Sequence, residues 1–206
     1  MGKPKIKKAD VWIDMTPMSD VMVLLLTFFM LTSTFVKNEA VKVNTPGSVS
    51  EIKVPESELL QITVDKTGKV FMGLDKPKYM QDALASFLNN YPSVKLGALQ
   101  EKNFIALASF GIPVSDLAKV LTNEASDINN IQKDMGVPTD SISGGKSEFQ
   151  LWVDAANEAC GSDMKIAIKA DADTPYKVVK KVMSELQDMS ENRYYLVTSL
   201  KKEEGE

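Results

Sequence analysis

The sequence predicts a single membrane-spanning helix followed by an α+β domain that carries a partly helical insertion. Three observations lead there. An apolar run, TPMSDVMVLLLTFFMLTSTFV, occupies Thr16 to Val36. Two apolar-polar alternating runs meet at a glycine-containing turn between residues 59 and 72. A strand, helix and strand pattern then closes the chain between residues 165 and 199.

The first run sets the membrane reading. At about 1.5 Å per residue, Thr16 to Val36 covers roughly 30 Å as a helix, the hydrocarbon thickness of a bilayer. Thr16 suits the N-cap and Pro17 the first helical position, where its missing N–H is not needed. Asp20 then falls on the first turn. A carboxylate in such a segment is costly, about 2.5 kcal/mol or more near mid-bilayer, and two readings account for it. One is an ion or proton pathway. The other is an interfacial carboxylate stabilised by the positive end of the helix dipole.

Spacing favours the pathway. Thr27 and Thr34 follow Asp20 at steps of seven, with Leu24 and Leu31 between them, so the five residues form one seam suited to a partner helix or a wet crevice. Met22, Phe29 and Val36 lie elsewhere on the wheel. The alternative for the threonines is back-bonding to carbonyls of the preceding turn.

The flanks orient the helix. Lys3, Lys5, Lys7 and Lys8 precede it, and the positive-inside rule places residues 1–15 in the cytoplasm. Trp12 reads as an interfacial anchor. A cleaved secretory signal would share the basic start and apolar core, but no small-x-small site follows, and a carboxylate inside the core would be unusual.

Composition removes several functions. The 206 residues leave room for one domain beyond the span, and the net charge of −4, without a dense basic patch beyond the amino terminus, gives nucleic-acid binding no support. There is no histidine, so the commonest metal ligand and general base are missing and a proton carrier has to be a carboxylate. Cys160 is the single cysteine, which excludes an intramolecular disulfide and a Cys-His pair.

Residues 37–57 read as a partly extended linker with Asn44, Pro46, Gly47 and Pro55 as its breakers. Beyond it, Leu59 to Val64 and Lys69 to Met72 form a hairpin across Asp65-Lys66-Thr67-Gly68. Gln81 to Asn89 has a helical pattern. Near the end, Lys165 to Lys169 is a strand, Thr174-Pro175 a helix cap and first position, Val178 to Met189 an amphipathic helix, and Tyr194 to Ser199 a strand. The domain is therefore expected over 58–206. Between its halves lies an insertion, 92–163, with helices over Ser115 to Asn123 and Ser147 to Ala159, the second closed by Gly161.

No catalytic set emerges, and an enzyme is not expected. Ser143-Gly144-Gly145-Lys146 lacks the spacing of a phosphate loop, and Asp171 and Asp173 read as turn and helix-start residues. No metal site is expected. Loop closure costs only about 0.6 kcal/mol per doubling of length, so 92–163 is expected to be replaceable unless Trp152, Phe104 or Phe110 enter the common core.

These residues resemble the ExbD/TolR family of biopolymer transport proteins, with the nearer likeness to ExbD. TPMSDVMVLLLTFFML is similar to the family's T-P-x-x-D-V-M/L membrane helix, with Asp20 at the family's membrane aspartate. VKVNTPGS at 41–48 resembles the linker, LLQITVDKTGKVFM the first hairpin, and KIAIKADADTPYKVVKKVMSELQ with YYLVTSL the closing β-α-β. The resemblance implies a proton-channel subunit of a TonB- or Tol-type energising complex in a bacterial inner membrane, single-pass, with its carboxy-terminal domain periplasmic. It further implies that Asp20 carries protons with no other cofactor, and that the chain self-dimerises within a pentamer of a multi-span ExbB/TolQ-like subunit. Val41, Val43, Asn44 and Pro46 would then belong to a partner-binding linker, and a TonB- or TolA-like protein would be driven. A TolR-like role in envelope integrity and a membrane-anchored periplasmic binding domain are the alternatives. A flagellar-type stator also carries such an aspartate, but the motifs of its larger cell-wall domain are not seen here.

Overall fold

A computed structural model of the chain describes residues 14–32, 39–48, 57–140, 145–161 and 164–200. The chain divides into two compact units, 1–36 and 37–206. The first contains one described helix, α1, Thr16–Thr32. Its 17 residues span about 25 Å, and among the described residues no helix is long and apolar enough to cross a membrane. The expected span through Val36 is thus met only in part, because 33–36 lie outside the described residues. Trp12 lies outside them too.

The second unit starts from the linker, whose Gly47–Ser48 forms a short strand, β1. The hairpin follows as β2, Leu59–Val64, and β3, Val70–Leu74. Its turn closes by Gly68 N–H donating to Asp65 O at 2.8 Å, with Gly68 at φ +85, a conformation that glycine adopts without strain. Helix α2 is Pro77–Asn89, and α3, Ala98–Ala106, α4, Val114–Val120, α5, Ala125–Gln132, and α6, Glu148–Cys160, build the insertion. Strand β4, Lys165–Ala170, helix α7, Tyr176–Asp188, β5, Tyr194–Leu196, and β6, Ser199–Leu200, complete the chain.

Four strands form a mixed sheet in the order β3-β2-β4-β5. β2 runs antiparallel to β3 and parallel to β4, with Ile62 level with both Met72 and Ile168. The expected α+β class and the closing β4-α7-β5 unit are present. Several boundaries shift by a few residues, among them α2, which starts at Pro77 and not at Gln81, and two changes have a visible cause. Pro175, not Thr174, caps α7, because the Thr174 hydroxyl is donated instead to Asp65 O at 3.1 Å. The expected strand from Tyr194 to Ser199 breaks after Leu196, and β6 leaves the sheet to pair with β1.

The insertion is not a decoration. Leu60, Ile62, Val64, Ile166 and Ile168 of the sheet share one core with Met80, Leu84 and Phe87 of α2, Phe104 of α3 and Phe149, Trp152 and Val153 of α6. Trp152 stacks on Phe87 with centroids 3.7 Å apart and an interplanar angle of 8°, and packs on Phe104 and Phe110 at 5.7 and 4.5 Å. All three aromatics named as the condition for an integral insertion are buried. The expectation that 92–163 can be replaced is therefore overturned. A loop-closure argument counts only the connection and misses the apolar surface that connection supplies.

The insertion also completes β3. Phe110 and Met72 exchange backbone hydrogen bonds of 2.7 and 2.8 Å, and Val137 N–H donates to Val70 O at 2.8 Å. Gly111 lies flat against the Phe71 ring, where a Cβ would stand 2.3 Å from Cδ1. Ser147 caps α6 in a capping box, accepting from Gln150 N–H at 3.2 Å, and Gly161 ends that helix at φ +80 as expected.

Candidate functional site

Every residue of α1 is exposed. At 100° per residue, Asp20, Leu24, Thr27 and Leu31 fall within about 60° of one another, so these four share one face of the helix. Leu24, Thr27 and Leu31 line a shallow surface groove together with Val21, Leu25 and Phe28. Thr34 lies outside the described residues. The Thr27 hydroxyl donates to Leu24 O at 2.9 Å, and Thr32 does the same to Phe28 O at 2.8 Å. Back-bonding therefore satisfies the Thr27 donor, as the alternative reading of the threonines expected.

The helix start differs from the sequence expectation. Thr16 is the first helical residue and not its cap, which moves Pro17 to the second position and leaves Asp20, expected on the first turn, just past it. Met15 O accepts from Ser19 N–H at 3.0 Å. The side chain that takes up the free N–H of Thr16 belongs to Asp14, at 2.9 Å, and the same oxygen accepts the Thr16 hydroxyl. Those two bonds, the hydroxyl's first, hold the Asp14 carboxyl below the ordinary aspartate range. Sequence reading passed over Asp14 because Thr16 is itself a good capping residue, and an Asp-x-Thr-Pro start offers two candidates.

In the domain, the linker is held at several points. Ala40 is buried and donates its N–H to Ser109 Oγ at 3.1 Å. Glu39 pairs with Lys169 at 3.2 Å. Asn44 N–H donates to Asp171 Oδ2 at 2.9 Å, and Asn44 O accepts from Ala172 N–H at 2.8 Å. Pro46 O accepts from Ser199 N–H at 3.1 Å as β1 and β6 run parallel. Val41 and Val43 are half-buried. The N–H groups of Asn44 and then Asp173 hold the Asp171 carboxyl low, so Asp171 is a turn residue that also fastens the linker.

Behind Ser109 stands Gln132, fully buried. Its amide donates to Ser109 O at 3.1 Å and its oxygen accepts from Gly111 N–H at 3.2 Å. Neither Ser109 nor Gln132 carries a local signal of this contact, since Ala40, Ser109 and Gln132 lie far apart along the chain, although the Gln132 amide also donates to the nearby Asn129 Oδ1 at 2.9 Å.

The ionisable groups of Cys160 and Glu148 are shifted by their surroundings. Burial first, then the Asp75 and Glu58 carboxylates, push the Cys160 thiol up to about 11, the opposite of an activated nucleophile. Glu148 is buried at the start of α6, with one oxygen accepting from Val114 N–H at 3.0 Å, and burial raises its carboxyl above the ordinary range. Among the described residues no group of three or more His, Cys, Asp or Glu could hold a metal. Ser143 and Gly144 lie outside the described residues, and Lys146 pairs with Asp154.

A family model described as biopolymer transport protein ExbD/TolR matches residues 7–201. No curated protein and no solved structure matches the chain.

Proposed function

The chain belongs to the ExbD/TolR family, a premise that makes it a transport-associated subunit of an energising membrane complex, and we propose that Asp20 carries protons through that complex. Members of the family are non-enzymatic, anchored in the inner membrane, and work with partners of the ExbB/TolQ and TonB/TolA kinds. The finer reading is an ExbD-like role: proton passage at Asp20 is coupled to a TonB-like protein that energises outer-membrane transport.

One observation carries this. Asp20 is the single carboxylate on an otherwise uncharged helix, and it shares a face with Leu24, Thr27 and Leu31. A helix that is apolar all round belongs in an apolar environment, and the apolar sequence runs on through Val36 to the length of a bilayer. An ionisable group in that setting marks an ion path.

The energetics are sufficient. One elementary charge crossing the membrane is worth about 2.3 kcal/mol per 100 mV. Protonating Asp20 erases a charge that is costly to desolvate, so the seam can then meet an apolar neighbour that the anion rejects. Alternation between those two states turns proton flow into movement of one helix face against another.

The test is Asp20→Asn, which keeps size and removes titration. It abolishes energy-dependent outer-membrane uptake while the chain still inserts and co-purifies with its multi-span subunit. Normal uptake by that variant would sink the proton-carrier role.

A further inference from the structure

We infer that Asp14 is a positioning residue for proton carriage: its side chain, by taking the Thr16 N–H and hydroxyl, fixes where α1 begins and hence where Asp20 is presented. The inference rests on the reading of Asp20 given above.

The geometry of the first turn supports it. Thr16 N–H donates to Asp14 Oδ1 at 2.9 Å, Pro17 has no N–H to place, and Ser19 N–H donates to Met15 O at 3.0 Å. Asp14 thus serves a donor that the helix itself cannot serve. Asp20 is the fifth residue of α1, about 6 Å beyond Thr16 along the axis and just past the first turn of about 5.4 Å, so a helix that unwinds by one turn at its start leaves Asp20 at its new first position. An unpaired N–H is tolerated in water and penalised in hydrocarbon, which makes the cap decisive for a helix that starts at the membrane edge.

Charge adds a second effect. An anion at the start of a helix is stabilised by the dipole, and Asp14 occupies that place with both Thr16 bonds favouring its ionised form. Asp20 is then not required as the helix's own stabilising anion. Its carboxyl is left to change protonation without the helix start changing with it.

The experiment uses the full chain co-purified with its multi-span subunit, reconstituted into liposomes, with proton uptake measured against pH under an imposed potential. Asp14→Ala is expected to lower the flux about five-fold, the worth of a lost cap, and to displace the midpoint of the pH profile. Asp14→Asn keeps an oxygen acceptor and is expected to stay within about two-fold of the wild type. Should Asp14→Ala fail to assemble, Asp14→Ser restores a capping oxygen, and recovery of both assembly and midpoint supports the inference. Wild-type flux and midpoint in Asp14→Ala, no recovery with Ser, or equal damage from Asn and Ala would each overturn it. Asp20→Asn in the same liposomes separates the two ideas: if it conducts, the carrier reading itself has failed, whatever Asp14 does.

Discussion

Leu31 on α1 is 87% exposed, whereas Ile62 on β2 is fully buried. The contrast holds along both regions: α1 has no buried residue, while the unit from 37 onward closes its apolar side chains into one core. The domain's stability is written into its own chain. On the reading proposed above, the helix obtains its burial from lipid or from another subunit, so its polar residues are the ones whose chemistry depends on what the partner brings. A substitution in the domain should therefore be read in its melting, and one in α1 in coupling.

Trp152→Ala should break the domain hardest. It removes the ring stacked on Phe87 and leaves a cavity among Phe104 and Phe110, at a cost of about 3–5 kcal/mol. Against a total stability of roughly 5–15 kcal/mol, that lowers the thermal midpoint steeply or abolishes cooperative melting. A midpoint close to wild type would mean that α6 sits on the domain as an accessory after all.

Gly73→Ala and Gly111→Ala come next. A Cβ at 73 would stand 2.4 Å from Ala108 O, and one at 111 would stand 2.3 Å from the buried Phe71 ring. Each should cost about 1–3 kcal/mol by forcing the 108–111 segment off β3. Denaturant unfolding of the two variants checks this, and an unchanged midpoint would show that the segment moves away freely.

Glu148→Gln tests the same junction through pH. The folded carboxyl titrates above its unfolded range because burial penalises the anion. At low pH both states are protonated and the penalty is absent; as pH rises through the raised folded value, stability is lost. Gln keeps an acceptor for Val114 N–H and cannot ionise. The melting temperature of the variant relative to wild type should therefore rise from pH 4 to pH 7, and a difference that stays flat would mean Glu148 is hydrated when charged.

Thr27→Val should do least. Its hydroxyl already donates to Leu24 O, and the melting of the full-length protein in detergent should shift by less than about 0.5 kcal/mol. A larger shift would place α1 inside the domain's cooperative unit and erase the contrast.

How much of this could be read beforehand follows the range of the interactions. The hairpin, α7 and the apolar helix rest on local periodicity and turn chemistry, so Leu59 to Val64, Gly68 and the helix expected at Val178 to Met189, observed at Tyr176–Asp188, were legible. Trp152 could be placed on a core face, but not that the core was the common one, since its partner Phe87 lies on the far side of the insertion. Linker docking was out of reach in the same way: Asn44 meets Asp171 across most of the domain's sequence. At the site, Asp20 and its seam follow from spacing. Asp14 was hidden behind a threonine that looked adequate for the same task.

The pairing of β3 with residues 110 and 137 has a consequence for solubility. A bare edge strand of Val70 to Leu74, apolar on every residue, would be a template on which a second chain could polymerise. Here the backbone groups of Met72 and Val70 on that edge are already satisfied by the chain's own Phe110 and Val137. The insertion thus works as an aggregation guard. Losing it would show first as concentration-dependent precipitation, before any effect on transport could be measured.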